Sequence, residues 1–465
     1  MVNWKQEVEE RRDAMLEDLK ALLRIPSVLN ESEAREGAPF GEEVKLALDW
    51  MLATGERDGF KTKDVDGYAG HLEYGEGEEL LGILCHLDVV PPGGDDWTYG
   101  PFNPTLVDGK LYARGAIDDK GPTIAAYYAL KIVKELGLPI SKRIRLIAGC
   151  DEESEWRCVK HYFKTEEMPT FGFAPDADFP IINAEKGLYD GVLVQGKPAK
   201  MPDTVFHLVS FEGGERPNMV PAFAKAVVKV FEETDVEPKF HAFLAERNLT
   251  GVVKSTEHGL EFEVFGVAAH AMEPNKGINA ALYLAIFLKT LHLDYNGKQY
   301  IDMVTHLFRD SRGVAIGIEA SDETGDLTVN GGVFHYAEGR GTASMNIRYP
   351  YTADFTERLQ MIREAAAAYG FELKDRTHMR PHHVDPNHEL IKTLSRVYEK
   401  HTGDTADLIA IGGGTYARSL TAGVAFGPVF PGGPEVAHQV DEYVDFDELL
   451  EAVAIYAEAI YELAK

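Results

Sequence analysis

Apolar positions along the chain change their period more than once, and the elements follow from those changes. Near the N-terminus Trp4, Val8, Met15, Leu19, Leu22 and Leu23 recur at helical spacing. Asn3 lies just ahead as a cap with Gln6 three residues on, and Pro26 is the stop, which predicts one amphipathic helix. A second helix is expected after Pro39 and Gly41, with Val44, Leu46, Leu48, Trp50 and Met51 partly buried. A short strand at 70–73 precedes a run of apolar and β-branched residues at 83–90. Pro91, Pro92, Gly93 and Gly94 end that run, so it reads as a buried strand. A hairpin at 107–112 follows, then a helix with Pro122 in its first turn and a face of Ile124, Tyr128, Ile132 and Val133, then a strand at 143–149.

From about Tyr189 the texture shifts to alternating strands, at 205–211, 224–231, 260–267 and 327–349, with helical patterns at 278–293 and 355–369. From Pro386 the first texture returns: a helix at 388–401, strands at 407–411 and 424–426, and a last helix capped by Asp445 with Glu448. Strand and helix alternation on both sides of a strand-rich middle predicts an α/β fold. The expected organisation is a discontinuous catalytic domain, 1–188 and 386–465, with an α+β domain inserted at 189–385. At 465 residues the chain is also too long for one ordinary core.

Composition adds exclusions. Hydrophobic residues at 45% and charged residues at 26% belong to a globular chain. The balance of 47 basic against 76 acidic residues, a net charge of −29, argues against nucleic acid or an anionic membrane as partner. Cys85, Cys150 and Cys158 form no CxxC pair, and an odd count suits a reducing compartment. The N-terminus opens on a charged amphipathic helix rather than an apolar signal segment, which points to the cytoplasm. The most apolar stretch, 278–293, contains Lys289 and is short for a bilayer.

Candidate chemistry collects where strands end. In an extended backbone His86 and Asp88 point to the same side, so the strand at 83–90 presents an imidazole and a carboxylate together. Asp118 and Asp119 sit in the loop before the Pro122 helix, where one of them could simply be an N-cap. Asp151, Glu152 and Glu153 follow the strand at 143–149, and Asp176 and Asp178 follow Pro175. In open α/β sheets the ligand crevice lies at the carboxyl ends of strands, which favours one shared site. Packed carboxylates repel unless cations lie between them, and a mixed imidazole and carboxylate set suits zinc, cobalt or manganese better than calcium. Two such ions about 3.5–4 Å apart would polarise a carbonyl and generate hydroxide near neutral pH.

These motifs resemble a family. His86-Leu87-Asp88, Gly115-Ala116-Ile117-Asp118-Asp119-Lys120-Gly121, Asp151-Glu152-Glu153-Ser154, Pro175-Asp176-Ala177-Asp178 and Ala437-His438 are similar, in this order, to the di-metal peptidases that include aminoacylases, carnosinases and bacterial PepV-type dipeptidases. The resemblance implies that Asp118 bridges two metal ions, with His86 and Asp176 completing one and Glu153 and His438 the other. By the same resemblance Glu152 is the general base, Asp88 orients His86, the Asp118 to Asp119 peptide is cis, and Asp119 and Asp178 support the others. In the inserted domain His270, within Gly266 to Pro274, resembles a lid histidine that stabilises an oxyanion. Asn218 resembles a second substrate contact, and Arg348 a clamp for a free α-carboxylate, with an edge-strand surface arginine as the plain alternative. The loop of Gly412, Gly413, Gly414 and Thr415 could offer backbone amides to the same end of the substrate, or be only a tight turn.

The expected cofactors are therefore two divalent ions per chain, zinc or manganese, with cobalt as a further candidate. The expected partner is a small peptide. An insertion as long as 189–385 resembles the enlarged PepV-type lid, which implies a self-sufficient monomer. The expected activity is hydrolysis of short unblocked dipeptides, including β-alanyl dipeptides. The alternatives are an N-acyl-amino-acid deacylase or carboxypeptidase of the same family, and a catalytically silent binding protein.

Overall fold

The computed structural model describes residues 2–199, 204–231 and 235–465. The chain divides into two compact units. Met1–Ala184, His383–Ile409 and Gly414–Lys465 form the first; Glu185–His382 with Ala410–Gly413 form the second. Residues 410–413, which the sequence reading assigns to the returning catalytic segment, thus group with the second unit. Among the described residues no helix is long and apolar enough to cross a membrane.

The first unit is built on a mixed sheet. Its strands run in the order Lys61–Val65, Ala69–Tyr74, Arg143–Gly149, Leu80–His86, Phe171–Ala174, Gly423–Ala425, Ile181–Glu185. Leu80–His86 is buried along its whole length and lies between two parallel neighbours, as a continuous apolar run without alternation should. Helices Lys120–Glu135 and Phe446–Ala464 pack together and on these central strands. The last helix is capped by the Asp445 carboxylate, which accepts from the N–H groups of Asp447 and Glu448. The carboxyl ends of Leu80–His86, Arg143–Gly149 and Phe171–Ala174 release the chain at the candidate residues.

The N-terminal segment departs from the expectation of one helix. It forms two, Trp4–Glu9 and Arg12–Leu23. The Arg11 Nη1 donates to the Glu7 carbonyl at 2.7 Å, while the Arg11 N–H turns to Val8 O at 2.9 Å. A side chain thus takes the carbonyl that a continuous helix would have used.

The second unit carries an antiparallel sheet in the order Thr250–Thr256, Gly259–Phe265, Phe223–Val230, Phe206–Gly213, Phe334–Ala337, Arg340–Tyr349, Gly187–Gln195, Phe371–Met379. Thr328–Asn330 pairs alongside Arg340–Tyr349. Helices Ala280–Leu288 and Tyr295–Leu307 pack on it around Phe211, Phe262, Phe287, Tyr300 and Ile347. Arg348 lies on an interior strand, paired opposite Leu188, and is only 8% exposed, so it is not an edge-strand surface residue.

Candidate metal centre

His86 is the last residue of its strand and fully buried. Its Nδ1 donates to the backbone carbonyl of Asp88 at 3.0 Å, which leaves Nε2 as the atom with a lone pair to offer. That Nε2 lies 3.1 Å from Asp118 Oδ1 and 3.7 Å from Asp176 Oδ2, yet makes no directed hydrogen bond. The other oxygen of the same carboxylate, Asp118 Oδ2, lies 2.9 Å from His438 Nε2, and His438 is also 3.2 Å from Glu153 Oε1. One carboxylate therefore faces an imidazole with each of its oxygens. His86, Asp118, Glu153, Asp176 and His438 are brought together from four separate loops and one strand end.

The electrostatics call for positive charge at this point. Burial opposes a charge on His86, but Asp176 and Asp118 hold its pKa well above the ordinary value. Burial pushes Asp176 up to about 6 and raises Glu153 as well. His438, bonded to Asp118 and Glu153, is raised to about 10. Without a cation these groups compete for protons, whereas a divalent ion among them would satisfy the carboxylates and the imidazole lone pairs at once. Ligand atoms of His86, Asp118 and Glu153 all lie within 4.8 Å of one another, as do those of His86, Asp119 and Asp176. The donor set and the orphaned His86 Nε2 fit a divalent metal.

Three features differ from the sequence reading or were missed by it. First, the carboxylate of Asp88 is not the partner that fixes His86; its Oδ1 is 3.5 Å away, and the backbone carbonyl does that work. The Asp88 side chain instead accepts from the N–H groups of Glu152 and Glu153, at 3.1 and 3.0 Å, and so clamps the loop that carries both. Second, Asp119 stands at the N-cap position of helix Lys120–Glu135 but does not cap it. Its Oδ2 accepts from His86 N at 3.0 Å and Thr123 Oγ1 at 3.2 Å, while Oδ1 is buried with no hydrogen-bond partner. The Asp118 to Asp119 peptide is cis. Third, Glu442 accepts from the N–H of Asp118 at 3.3 Å; a glutamate four residues after His438 gave no sequence signal for that contact.

Glu152 is held by its backbone, while its carboxylate accepts no hydrogen bond from the described residues. Burial raises its pKa well above the usual carboxylate range, and Asp176, Glu153 and Asp88 add to the rise. Asp178 is exposed and lies outside the cluster.

The second unit groups other candidates. The N–H of Ala271 bonds to Asn218 O at 2.9 Å, and Asn330 Nδ2 donates to the carbonyls on either side, of Pro217 and Met219, both at 3.0 Å. His270 Nδ1 accepts from Met272 N at 3.1 Å, so the proton sits on Nε2. Burial and the nearby Arg348 lower its pKa and keep the ring neutral. Arg348 Nε donates to Asn346 Oδ1 at 3.2 Å, and Asn346 Nδ2 donates to Asp190 Oδ1 at 2.6 Å. Gly412 and Gly413 have no positive φ, so they leave space rather than make a left-handed turn. Gly414 and Thr415 belong to the first unit, where Thr415 starts the short helix Tyr416–Ser419.

Comparison with known proteins identifies the family. Residues 82–462 match the model of peptidase family M20/M25/M40. A Bacillus subtilis (strain 168) protein named "Putative dipeptidase YtjP" is 51% identical over 468 residues, covering 100% of each chain. A relative from Staphylococcus haemolyticus (strain JCSC1435), named in the same way, is 44% identical over 99% of both chains. Among solved structures, aminoacylhistidine dipeptidase from Vibrio alginolyticus aligns with a TM-score of 0.61 at 14% identity, over 97% of this chain and 96% of its own. Human carnosine dipeptidase 1 aligns with a TM-score of 0.56 at 17% identity, over 99% and 98%. At such identities the two structures speak for the fold, and the family match with the full-length relatives speaks for descent: the chain belongs to peptidase family M20/M25/M40.

Proposed function

We propose that the protein is a metal-dependent dipeptidase that hydrolyses short peptides with a free amine and a free carboxylate. The observation that carries this reading is the Asp118 carboxylate, with one oxygen toward His86 and the other toward His438. The names of its full-length relatives support the substrate class. His86, Asp118 and Asp176 would hold one divalent ion, and Asp118, Glu153 and His438 the other. Such ions supply Lewis acidity toward a carbonyl and lower the pKa of water. The ligand types favour zinc or manganese, with cobalt a further fit.

Glu152 takes a proton from the attacking water as its oxygen bonds to the carbonyl carbon. It then delivers that proton to the leaving amine as the C–N bond breaks. Its unencumbered carboxylate on a clamped backbone suits a group that must accept and release a proton in place. Asp88 keeps that backbone fixed. His270, neutral with a proton on Nε2, is the donor for the developing oxyanion. Arg348, oriented through Asn346 and Asp190, receives the α-carboxylate, with Asn218 and the backbone of Gly413, Gly414 and Thr415 as further contacts.

The length of the inserted segment, Glu185–His382, supports a self-sufficient monomer, and sedimentation should give a single-chain species. The three buried free thiols support the cytoplasm, with which the protein should fractionate.

The test is turnover of a free dipeptide, its N-acetylated form and a longer peptide by EDTA-treated protein resupplied with Mn²⁺ or Zn²⁺. Cleavage of the free dipeptide alone is expected. Preference for the acetylated substrate would move the protein to the deacylases, and no turnover with any ion would leave a binding protein.

A further inference from the structure

Beneath the Asp118 loop lies an ion pair that takes no direct part in the chemistry above. Arg114 is 1% exposed and Glu442 0%. The Glu442 carboxylate is divided: one oxygen takes Arg114 Nη1, and the other takes the N–H groups of Ile117 and Asp118 at 3.0 and 3.3 Å. The Arg114 fork is divided as well. Nη1 reaches the carbonyl of Gln439 at 3.3 Å, and Nη2 reaches those of Pro91 and Pro92 at 3.4 and 3.3 Å. One buried pair therefore holds three segments: the exit of the His86 strand, the loop of Asp118, and the residue next to His438.

His438 needs such a fastening. Its side chain is half exposed, and its backbone stands at φ 63 with Asp441 at φ 58, outside any helix or strand. Non-glycine residues persist in that region only where surrounding contacts impose it. A second staple ties the same loop, since the Asp441 carboxylate accepts from Thr98 N and Oγ1 at 2.8 and 2.7 Å. A buried ion pair is weak evidence of stabilisation, because desolvation offsets most of the attraction. Here its hydrogen bonds go to the backbone of one proposed ligand and the neighbour of another, so the pair sets relative position.

We propose that Arg114 and Glu442 are positioning residues that lock the Asp118 loop against the His438 loop, so that both oxygens of Asp118 can serve the metal centre. The proposal rests on the two-ion reading above. Its test is calorimetric titration of EDTA-treated protein with Mn²⁺ alone, beside thermal unfolding of the same metal-free samples. Wild type should take up two ions per chain. In R114M/E442M both buried charges leave together, so the fold should survive, with a midpoint lowered by the N–H groups of Ile117 and Asp118 left unpaired. At least one ion should then bind about 10–100-fold more weakly, the usual effect of removing a partner that orients a ligand. R114K keeps the charge but not the fork, and should fold and bind with an intermediate loss. Wild-type affinity for both ions in R114M/E442M, or in R114K should the double variant fail to fold, overturns the proposal. Wild-type protein that takes up no ion overturns the two-ion reading itself, and with it the proposal.

Discussion

Two carboxylates on adjacent loops, Asp88 and Glu152, show how a residue's role is set by where its oxygens point. Asp88 spends both oxygens on the N–H groups of Glu152 and Glu153. Asp88→Asn puts an amide donor against one of those N–H groups, and ion affinity should fall about 10–100-fold, measured by titration. Glu152 spends none. Glu152→Gln keeps its size but cannot hold the proton, so kcat should fall by about 10²–10⁴ while ion uptake is unchanged, read from steady-state kinetics with metal analysis. The sequence carried the identity of these residues but not the direction of their contacts. His86-x-Asp88 at a strand end implies a shared face, and the shared face is real; which oxygen serves His86 depends on the loop that packs over it. Glu442 was silent because its partners, Arg114 and the N–H of Asp118, are more than three hundred positions away.

At the scale of elements, burial decides more than propensity. Helix Tyr295–Leu307 gave no signal strong enough to single out, since Gly297 weakens its first turn. The glycine is required by packing: a Cβ there would come within 2.7 Å of the Leu208 Cβ. The hairpin at 107–112 was legible because its turn chemistry is local, with Asp108 at φ 50 and Gly109 at φ 80. Burial has a pH consequence on the strand Ala69–Tyr74. His71 is lowered to about 4 by burial and by Arg145, from 6.5, with Tyr162 Oη at 2.7 Å from its Nδ1. Between those values the unfolded chain binds the extra proton, so stability is full above pH 6.5 and is lost as pH falls toward 4. The loss on going from pH 7 to pH 5 is about 2 kcal/mol. Thermal unfolding of wild type and His71→Gln at pH 7 and pH 5 checks this; the variant should show a flatter profile, and parallel profiles would refute it.

For the whole molecule, a net charge of −29 is mostly surface, yet a small part of it converges on the ends of parallel strands, where repulsion has a chemical use. The change of texture near 189 and again near 386 was readable because hydrophobic period is a property of long stretches. The assignment of 410–413 to the second unit was not, because four residues carry no period of their own. His86, Asp118, Asp176, Glu153 and His438 would hold the divalent ions on which dipeptidase activity is proposed to depend, and titrating activity against bound metal tests this most directly. EDTA-treated protein given increments of Mn²⁺ or Zn²⁺, with free-dipeptide hydrolysis followed at each step, should be inactive at first and reach its plateau at two ions per chain. Full hydrolysis by the metal-free protein, or a plateau reached with no bound ion, would contradict the account.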